Sequence, residues 1–389
     1  MNIFLTGSTG LLGGEILVNI CRRKEVEKVF CFVRAESEVQ AKARLKKVFA
    51  LHGNVFDHEK IIPVCGNLLD PVLVASLQTN KLLAQTNVII HAAANTSFSR
   101  MNDSMIDAVN INGLESLLRW AAELSKLSTF LHISTATVCG SIPKNRLVYE
   151  HESPNVKGHH VVRYSYSKMQ AELLINKYLP QEKILVARPS IIMGDSRPLP
   201  PRSNVILWTV AAVNQLRLVP LDQHAMLDMV PVDYTSSAII ELLFARRKHN
   251  VYHISSGKHG VTSAYKVLQK LEEYFTGLPP FCFVEPSMIR QMKFWAKNDL
   301  QAGSELYSYA TYLDYWLSKF MDAGSVRILF SALTPYLDFI ALGQAYDNTR
   351  LLEDVPTLRQ SQPADVYIDN CMVFLEKINI LHTTEHALT

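Results

Sequence analysis

The sequence predicts an α/β fold, with a doubly wound parallel sheet followed by a mostly helical C-terminal lobe. Short, continuously apolar segments alternate with helical ones through the first half, as is typical of parallel strands covered by helices on both faces. A glycine-rich turn directly follows the first apolar segment. At 389 residues, the chain also exceeds what one hydrophobic core usually supports. We expect a sheet domain at residues 1–260, with part of the second lobe inserted at about 190–235, and the C-terminal lobe at residues 261–389.

The individual elements follow from hydrophobic periodicity. Strands are predicted at residues 2–5, 28–33, 61–65, 87–91, 129–134 and 184–187, and again at 251–254. Helices are predicted to begin at residue 11 and near residue 164, and to cover residues 37–52, 71–84, 102–126 and 205–215. The aromatic residues between positions 307 and 316 are interpreted as core packing, with a lining for an apolar substrate as the alternative.

Composition excludes several classes of protein. Apolar residues make up 48% of the chain and charged ones 19%, which excludes a disordered chain, and a net charge of +3 gives no reason to expect a nucleic-acid partner. The six cysteines lack metal-ligand spacing, so we expect reduced thiols and no metal site. The first strand leaves no room for a signal peptide, and the most apolar stretch, residues 328–345, contains Pro335 and Asp338. We therefore expect a cytoplasmic protein without a transmembrane segment.

The glycine-rich turn at residues 6–13 reads TGSTGLLG. Its first glycine permits the turn, its second lets the backbone approach a pyrophosphate, and its third lets the following helix pack closely on the strand. Free N–H groups at the start of that helix favour an anion. A plain strand–helix turn is the alternative interpretation. The predicted dinucleotide contacts are Gly7, Ser8, Thr9, Gly10, Leu11 and Gly13.

Tyr164 and Lys168 stand four residues apart on a predicted helix, so their side chains share one face. A nearby ammonium lowers the pKa of a phenol, which makes the pair suited to acid–base catalysis. An ordinary helix face is the alternative. Tyr166 is only two residues from Lys168 and points elsewhere.

Further candidate ligand contacts follow three of the predicted strands. Ligands of open parallel sheets bind beyond the carboxyl ends of the strands, so residues at these positions would face a bound ligand. Thr135 follows the fifth strand and can hydrogen-bond a substrate carbonyl oxygen. The small residues Ala92 and Ala93 follow the fourth strand, where a cofactor would pass close to the backbone. Arg34 ends the second strand, where an arginine suits the 2′-phosphate of NADP, and Arg44 on the next helix can add a second cation.

These motifs, together with residues 91–94 and 110–113, resemble those of the extended short-chain dehydrogenase/reductases. Within that superfamily the chain resembles the thioester reductases, which include terminal reductase domains of peptide synthetases and carboxylic acid reductases, and the related fatty acyl-CoA reductases. The signals are segments 33–35, 44–45, 188–190, 194–196 and, most particular, 227–234. The resemblance covers about residues 1–260.

The resemblance implies a Rossmann-type domain that binds NADPH and delivers hydride to the carbonyl carbon of an acyl thioester. Thr135 and Tyr164 would bind the oxyanion, Lys168 would hold the nicotinamide ribose, and Asn112 would support a proton relay. The product would be an aldehyde, with onward reduction to an alcohol as an option. Further cofactor contacts would come from Asn67, which stands where the family shows Asp, and from Leu68, Tyr164, Lys168 and Pro189.

The expected partners are the acyl thioester and, as one option, an acyl or peptidyl carrier protein supplied in trans. Two alternatives stay open. One is a nucleotide-sugar epimerase or dehydratase, or a hydroxysteroid-type dehydrogenase, on the same scaffold; Arg34 argues against the sugar enzymes, which usually keep an acidic residue there. The other is a non-catalytic NADP-binding redox sensor, a class that tends to lose the pair represented here by Tyr164 and Lys168.

Overall fold

A seven-stranded, entirely parallel sheet organises the computed structural model, which describes residues 1–141, 144–152, 154–201, 203, 205–295, 305–320 and 323–381. The strand order is β7-β6-β5-β4-β1-β2-β3, so the order reverses beside β1. The predicted doubly wound fold is confirmed. The strands are β1 Asn2–Thr6, β2 Lys28–Val33, β3 Ile61–Cys65, β4 Val88–His91, β5 Thr129–Ile133, β6 Ile184–Pro189 and β7 Val251–Ile254.

Helices cover both faces of the sheet, because successive residues of a buried strand point to opposite faces. In β1, Ile3 and Leu5 pack into one apolar core with α1, α2 and α8, whereas Phe4 packs into the other core with α3, α5 and α6. In chain order as far as residue 244, the α-helices are α1 Leu11–Ile20, α2 Glu38–Ala50, α3 Leu73–Thr79, α4 Asp103–Asp107, α5 Leu114–Glu123, α6 Arg163–Tyr178, α7 Val205–Leu216 and α8 Val232–Phe244.

The helix predicted at residues 102–126 is not continuous. A π-helical turn at Ala108–Gly113 separates α4 from α5. A π turn adds a residue to the helical repeat, so side chains after it face a different direction from the one that an α-helical pattern predicts. The predicted helix at residues 71–84 is likewise shorter, ending with α3 at Thr79 and followed by a 3₁₀ turn at Leu83–Gln85.

A third apolar core lies in the C-terminal lobe, and residues from the predicted insertion share it. Trp208 of α7 and Trp316 of α12 are both buried there, the latter completely. Tyr309, Tyr312 and Tyr315 pack against this core, in agreement with the packing interpretation, whereas Tyr307, the first aromatic residue of the segment, is exposed. The remaining helices are α9 Gly257–Gly260, α10 Ala264–Tyr274, α11 Met288–Trp295, α12 Ala310–Phe320, α13 Ala323–Ile340, α14 Thr349–Asp354, α15 Ala364–Tyr367 and α16 Met372–Leu375.

Part of the C-terminal region returns to the sheet domain. The two-residue strand Ala345–Tyr346 pairs with Leu147–Val148, and Leu351 of α14 is buried in the sheet core. Residues 296–304 and 382–389 of the predicted lobe lie outside the described residues. Within the described chain, no helix combines the length and the apolar character needed to cross a membrane.

The start of the glycine turn is the tightest place in the fold. Gly7 has a left-handed φ of 71°, and a Cβ there would lie 2.6 Å from the backbone nitrogen of Ala93. A Cβ on Gly13 would lie 2.2 Å from the Gly7 carbonyl oxygen. The ends of β1 and β4 and the first turn of α1 are therefore in backbone contact, which only glycine permits at these positions.

Gly7→Ala should lower stability much more than Gly53→Ala. Both glycines have a left-handed φ, 71° and 66°, but a Cβ on Gly53 meets nothing within 4 Å. We expect a cost of about 1 kcal/mol for Gly53→Ala from backbone strain, and roughly 1–3 kcal/mol more for Gly7→Ala from the added steric clash. Thermal unfolding midpoints of the two variants measure the difference. Equal midpoints would contradict the proposed close approach of β1 and β4.

Candidate functional site

Two adjoining cavities open at the carboxyl edge of the sheet, where the strand order reverses. The first, which we call the Arg34 cavity, has a volume of about 820 Å³, and the second, the Tyr164 cavity, about 450 Å³. Open parallel sheets bind their ligands at this edge. The two cavities form one elongated groove, because both are lined by Gly7, Gly10, Ala92, Ala94, Thr96 and Tyr336.

The centre of the groove faces the N-terminus of α1. Gly10 is the N-cap residue of this helix, and no side chain caps the helix at that position. The free N–H groups and the helix dipole therefore offer a site for an anion such as a pyrophosphate. Every residue predicted to contact a dinucleotide in this turn lines a cavity except Ser8, which is fully buried. The close backbone approach at Gly7 and Gly13 fits the same ligand.

Two arginines stand at the end of the Arg34 cavity. Arg44 donates one hydrogen bond to the Arg34 carbonyl oxygen and a second, of 3.3 Å, to the Thr9 hydroxyl. These bonds hold the Arg44 guanidinium between β2 and the glycine turn. Asn67 and Leu68 line the same cavity, and no acidic side chain does so among the described residues. This end of the groove is therefore suited to an anionic group.

Tyr164, Thr135 and Lys168 all line the Tyr164 cavity, and so does Pro189. The Thr135 hydroxyl lies 3.1 Å from that of Thr137, which is in turn 3.0 Å from the hydroxyl of Ser165 on α6. This chain of hydroxyls links the end of β5 to the helix that carries Tyr164. The structure thus brings together three of the four predicted catalytic side chains.

Lys168 is almost completely buried, with 3% of its surface exposed. Its ammonium donates a 2.7 Å hydrogen bond to the Ile133 carbonyl oxygen. Burial lowers the pKa of Lys168 to about 7, although the Glu172 carboxylate opposes that change. Burial also raises the pKa of Tyr164. The expected lowering of the Tyr164 pKa by Lys168 is therefore not found: desolvation dominates, and the phenol stays protonated.

A buried ion pair lies one helical turn beyond Lys168. The Arg188 guanidinium of β6 binds the Glu172 carboxylate of α6 through two hydrogen bonds of 2.9 and 2.7 Å. The Ser134 hydroxyl donates to the same carboxylate at 2.5 Å. Because a buried charge is costly without a partner, this arrangement fixes α6 against the ends of β5 and β6. It therefore sets the positions of Thr135 and Tyr164 relative to each other.

Two stacked histidines lie on neighbouring strands of the sheet, His91 at the end of β4 and His132 in β5. The rings of His91 and His132 are 5.6 Å apart, and burial lowers the pKa of His91 to about 3, so its ring is neutral. The Thr6 hydroxyl accepts a hydrogen bond from the Ala93 N–H and shares a second hydrogen bond, of 2.9 Å, with His91 Nδ1. Thr6 thus ties the end of β1 to the end of β4 at the level of the glycine turn.

The position of Asn112 does not fit the predicted proton relay. Its side chain is exposed and lines neither cavity, whereas Asn110, two residues earlier, is buried. Asn110 accepts a 2.7 Å hydrogen bond from the Asn95 N–H and donates to the Asn95 carbonyl oxygen and to the Ser167 hydroxyl. The π turn at Ala108–Gly113 accounts for the difference, because it changes which asparagine faces α6.

An aromatic wall closes the Tyr164 cavity on the side of the C-terminal lobe. The Phe98 ring stacks on Tyr336 at 4.7 Å and contacts Phe339 at 5.1 Å, and it lies 6.2 Å from the ring of Tyr164. Sequence reasoning missed all three residues of this wall. Phe98 lies in an irregular loop, and Tyr336 and Phe339 belong to α13, whose Pro335 hides the helical pattern.

Residues 5–239 match the family model described as male sterility protein, which is a model of an NAD-binding domain. The chain belongs to the male sterility protein family. It is 27% identical to human fatty acyl-CoA reductase 1 over 273 residues, which cover 60% of this chain and 52% of that protein. The chain thus spans about half the length of the curated relatives of this type that it matches. Family membership confirms the resemblance to the extended reductases and the expectation of a nicotinamide cofactor.

Solved structures share the fold of this family member. The terminal R domain from the myxalamid PKS-NRPS biosynthetic pathway superposes with a TM-score of 0.73 at 21% identity, covering 97% of this chain and 90% of that chain. The UDP-glucuronic acid 4-epimerase from Bacillus cereus, in complex with UDP-glucuronic acid and NAD, superposes with a TM-score of 0.61 at 16% identity, covering 97% and 99%. At these identities, the similarity shows a common fold only.

Asn110→Ala should be far more damaging than Asn112→Ala. Removing the Asn110 side chain takes away hydrogen bonds to the half-buried Asn95 backbone and to the buried Ser167 hydroxyl, which should cost about 1–3 kcal/mol. Asn112 is exposed, so its replacement should change stability by no more than about 0.5 kcal/mol. Thermal unfolding of both variants tests this. The opposite order of midpoints would restore Asn112 as the structurally important asparagine.

Proposed function

We propose that this protein is an NADPH-dependent reductase that converts an acyl thioester to an aldehyde, with onward reduction to an alcohol as a further capacity. The observation that carries the proposal is the meeting of Tyr164, Thr135 and Lys168 in one cavity whose other walls are mostly apolar. Such a cavity accepts an uncharged acyl group and presents hydroxyl groups to its carbonyl oxygen. Family membership and the similarity to a fatty acyl-CoA reductase support the same reaction class.

The Arg34 end of the groove supports NADPH over NADH. NADPH carries an additional 2′-phosphate on its adenosine ribose, and guanidinium groups bind phosphates through charge-assisted hydrogen bonds. Arg34 and Arg44 offer such groups in a cavity whose described lining contains no carboxylate. The lack of an acidic residue at this position also weighs against the nucleotide-sugar epimerases.

When bound, NADPH supplies the hydride for the carbonyl carbon. The chain's own residues then stabilise the charge that develops on the carbonyl oxygen, and we assign this role to the Thr135 and Tyr164 hydroxyls, which both belong to side chains that line the Tyr164 cavity. Burial keeps the Tyr164 phenol protonated, so it can deliver the proton that the reduction requires. We assign Lys168, held by the Ile133 carbonyl oxygen, the role of binding the nicotinamide ribose.

The thioester carries either coenzyme A or the phosphopantetheine of a carrier protein supplied in trans. The reduced thioester expels a thiol and leaves an aldehyde. All six cysteines of the chain are free thiols, which favours a reducing compartment, and we propose the cytoplasm. No role for nucleic acid or for a metal ion is part of the proposal.

Tyr164→Phe should reduce the rate of NADPH oxidation with acyl-CoA by about 10²–10⁴-fold, because it removes the proton donor. Tyr166→Phe is the matched control: this neighbouring tyrosine packs against the Arg163 guanidinium and lines neither cavity. NADPH consumption with a panel of acyl-CoAs and ketosteroids, together with product analysis after incubation with UDP-sugars, identifies the substrate class. Turnover with a sugar or steroid but with no thioester would replace the proposed function, and NADPH binding without any turnover would favour a redox sensor.

Arg34→Ala should raise the Kd for NADPH by about tenfold to a hundredfold, since a charge-assisted contact to the 2′-phosphate is worth roughly 1.5–3 kcal/mol. The Kd for NADH, which lacks that phosphate, should change less than about twofold, and it serves as the internal control. Fluorescence titration of the reduced cofactors measures both constants. An equal loss for the two cofactors would show that Arg34 does not bind the 2′-phosphate.

A further inference from the structure

Three hydroxyl groups form a continuous hydrogen-bonded series that ends in the Tyr164 cavity. The Ser165 hydroxyl lies 3.0 Å from that of Thr137, which in turn lies 3.1 Å from that of Thr135. All three side chains are buried. Thr135 and Thr137 line the Tyr164 cavity, whereas Ser165 lines neither cavity and therefore has no direct access to a substrate. We call these three side chains the hydroxyl network.

The 3₁₀ turn at Ala136–Cys139 brings the two threonines of the network together. Thr135 is the N-cap residue of this turn, and its side-chain oxygen accepts a 3.4 Å hydrogen bond from the Thr137 N–H. In a continued β-strand, residues two positions apart would stand about 7 Å apart. The turn instead folds Thr137 back onto Thr135, so that their hydroxyls are in contact and the third member, Ser165, approaches from the first turn of α6.

The direction of these hydrogen bonds follows from the inner end of the network. A hydroxyl group donates one hydrogen and accepts up to two. Within the part of the chain that the structure describes, the contact with Thr137 is the only hydrogen bond of the Ser165 side chain. Because a buried donor without an acceptor is costly, the Ser165 hydrogen is directed at the Thr137 oxygen. The Thr137 hydrogen is then directed at Thr135, its other side-chain partner.

This direction leaves one hydrogen for the cavity. The Thr135 oxygen accepts from both the hydroxyl and the N–H of Thr137, so its two acceptor positions are filled. Its own hydrogen has no other acceptor among the described residues and is available to a bound molecule. Hydrogen bonds in series polarise one another, which makes Thr135 a stronger donor than an isolated hydroxyl. The reverse direction would turn the Thr135 lone pairs toward a substrate carbonyl oxygen and repel it.

We propose that Ser165 and Thr137 are positioning residues that fix the direction of the Thr135 hydroxyl, so that it donates to the carbonyl oxygen of the substrate. This inference rests on the proposed reductase function. The direction is set before the substrate binds, so the donor needs no reorganisation while negative charge develops on that oxygen. Thr135 remains the residue that touches the substrate, and Ser165 acts only through the two threonines.

The first test removes single hydroxyls. Thr137→Val should lower kcat for reduction of an acyl-CoA about threefold to tenfold, the effect of one hydrogen bond, and should leave KM within about twofold, since the interaction matters in the transition state. Ser165→Ala should lower kcat in the same way. Thr137→Ser keeps the hydroxyl and should keep most of kcat. Thr129→Val is the matched control, because this buried threonine begins β5 at the opposite edge of the sheet and lines neither cavity.

The second test is a double-mutant cycle, because Thr137 also lines the cavity. Thr135→Val should lower kcat by about 10²–10³-fold, the usual loss for one donor to a developing oxyanion. If Thr137 acts through Thr135, adding Thr137→Val to that variant should cause no further loss. If Thr137 donated directly to the substrate, the two losses would multiply.

The outcomes separate this inference from the proposed function. An unchanged kcat in Thr137→Val and Ser165→Ala, with Thr135→Val impaired, would overturn the inference and leave the reductase function intact. Multiplying losses in the double variant would also overturn it, and so would a loss in Thr137→Ser as large as that in Thr137→Val, which would indicate packing. Failure of the unaltered protein to reduce any thioester would contradict the proposed function itself and the inference that rests on it.

Discussion

The contact between the ends of β1 and β4 is the constraint on which the rest of the site depends. A Cβ at Gly7 would collide with the Ala93 nitrogen, and Thr6 bonds both to that nitrogen and to His91. These contacts place the turn, the start of α1 and the β4 loop around one groove. The groove lies where the strand order reverses, which is the place where open parallel sheets bind their ligands.

Glu172 and Lys168 are both buried beside this groove, but they differ in how well their charge is balanced. Glu172 receives two bonds from Arg188 and one from Ser134, so its carboxylate is well satisfied although it is removed from water. Lys168, by contrast, has one backbone acceptor and two neutral histidines nearby, and burial lowers its pKa to about 7. The site therefore keeps a lysine that is ready to change protonation near neutral pH, at a cost in stability that selection for function would tolerate.

The alternation of strands and helices was predictable from the sequence because each buried strand is a short apolar run. Tyr164 and Lys168 were predictable because four residues make one helical turn. The predicted asparagine, Asn112, is exposed while Asn110 is buried, a difference that an α-helical repeat cannot anticipate because it arises at the π turn Ala108–Gly113. Phe98 and Tyr336 lie far apart in the chain and meet only through tertiary packing, so no local pattern pointed to their contact.

Under the proposed function, the aromatic wall gives the C-terminal lobe a part in a reaction whose proposed catalytic side chains all lie on the sheet domain. Without α13, the Tyr164 phenol would face water, and its hydrogen bonds to a substrate would compete with those of solvent. Phe98 connects the two parts of the chain, because its ring lies beside Tyr164 of the sheet domain and also packs against Tyr336 and Phe339 of α13. Any change in the acyl group that the cavity accepts should therefore depend on α13, whereas changes in cofactor preference should depend on β2 and α2.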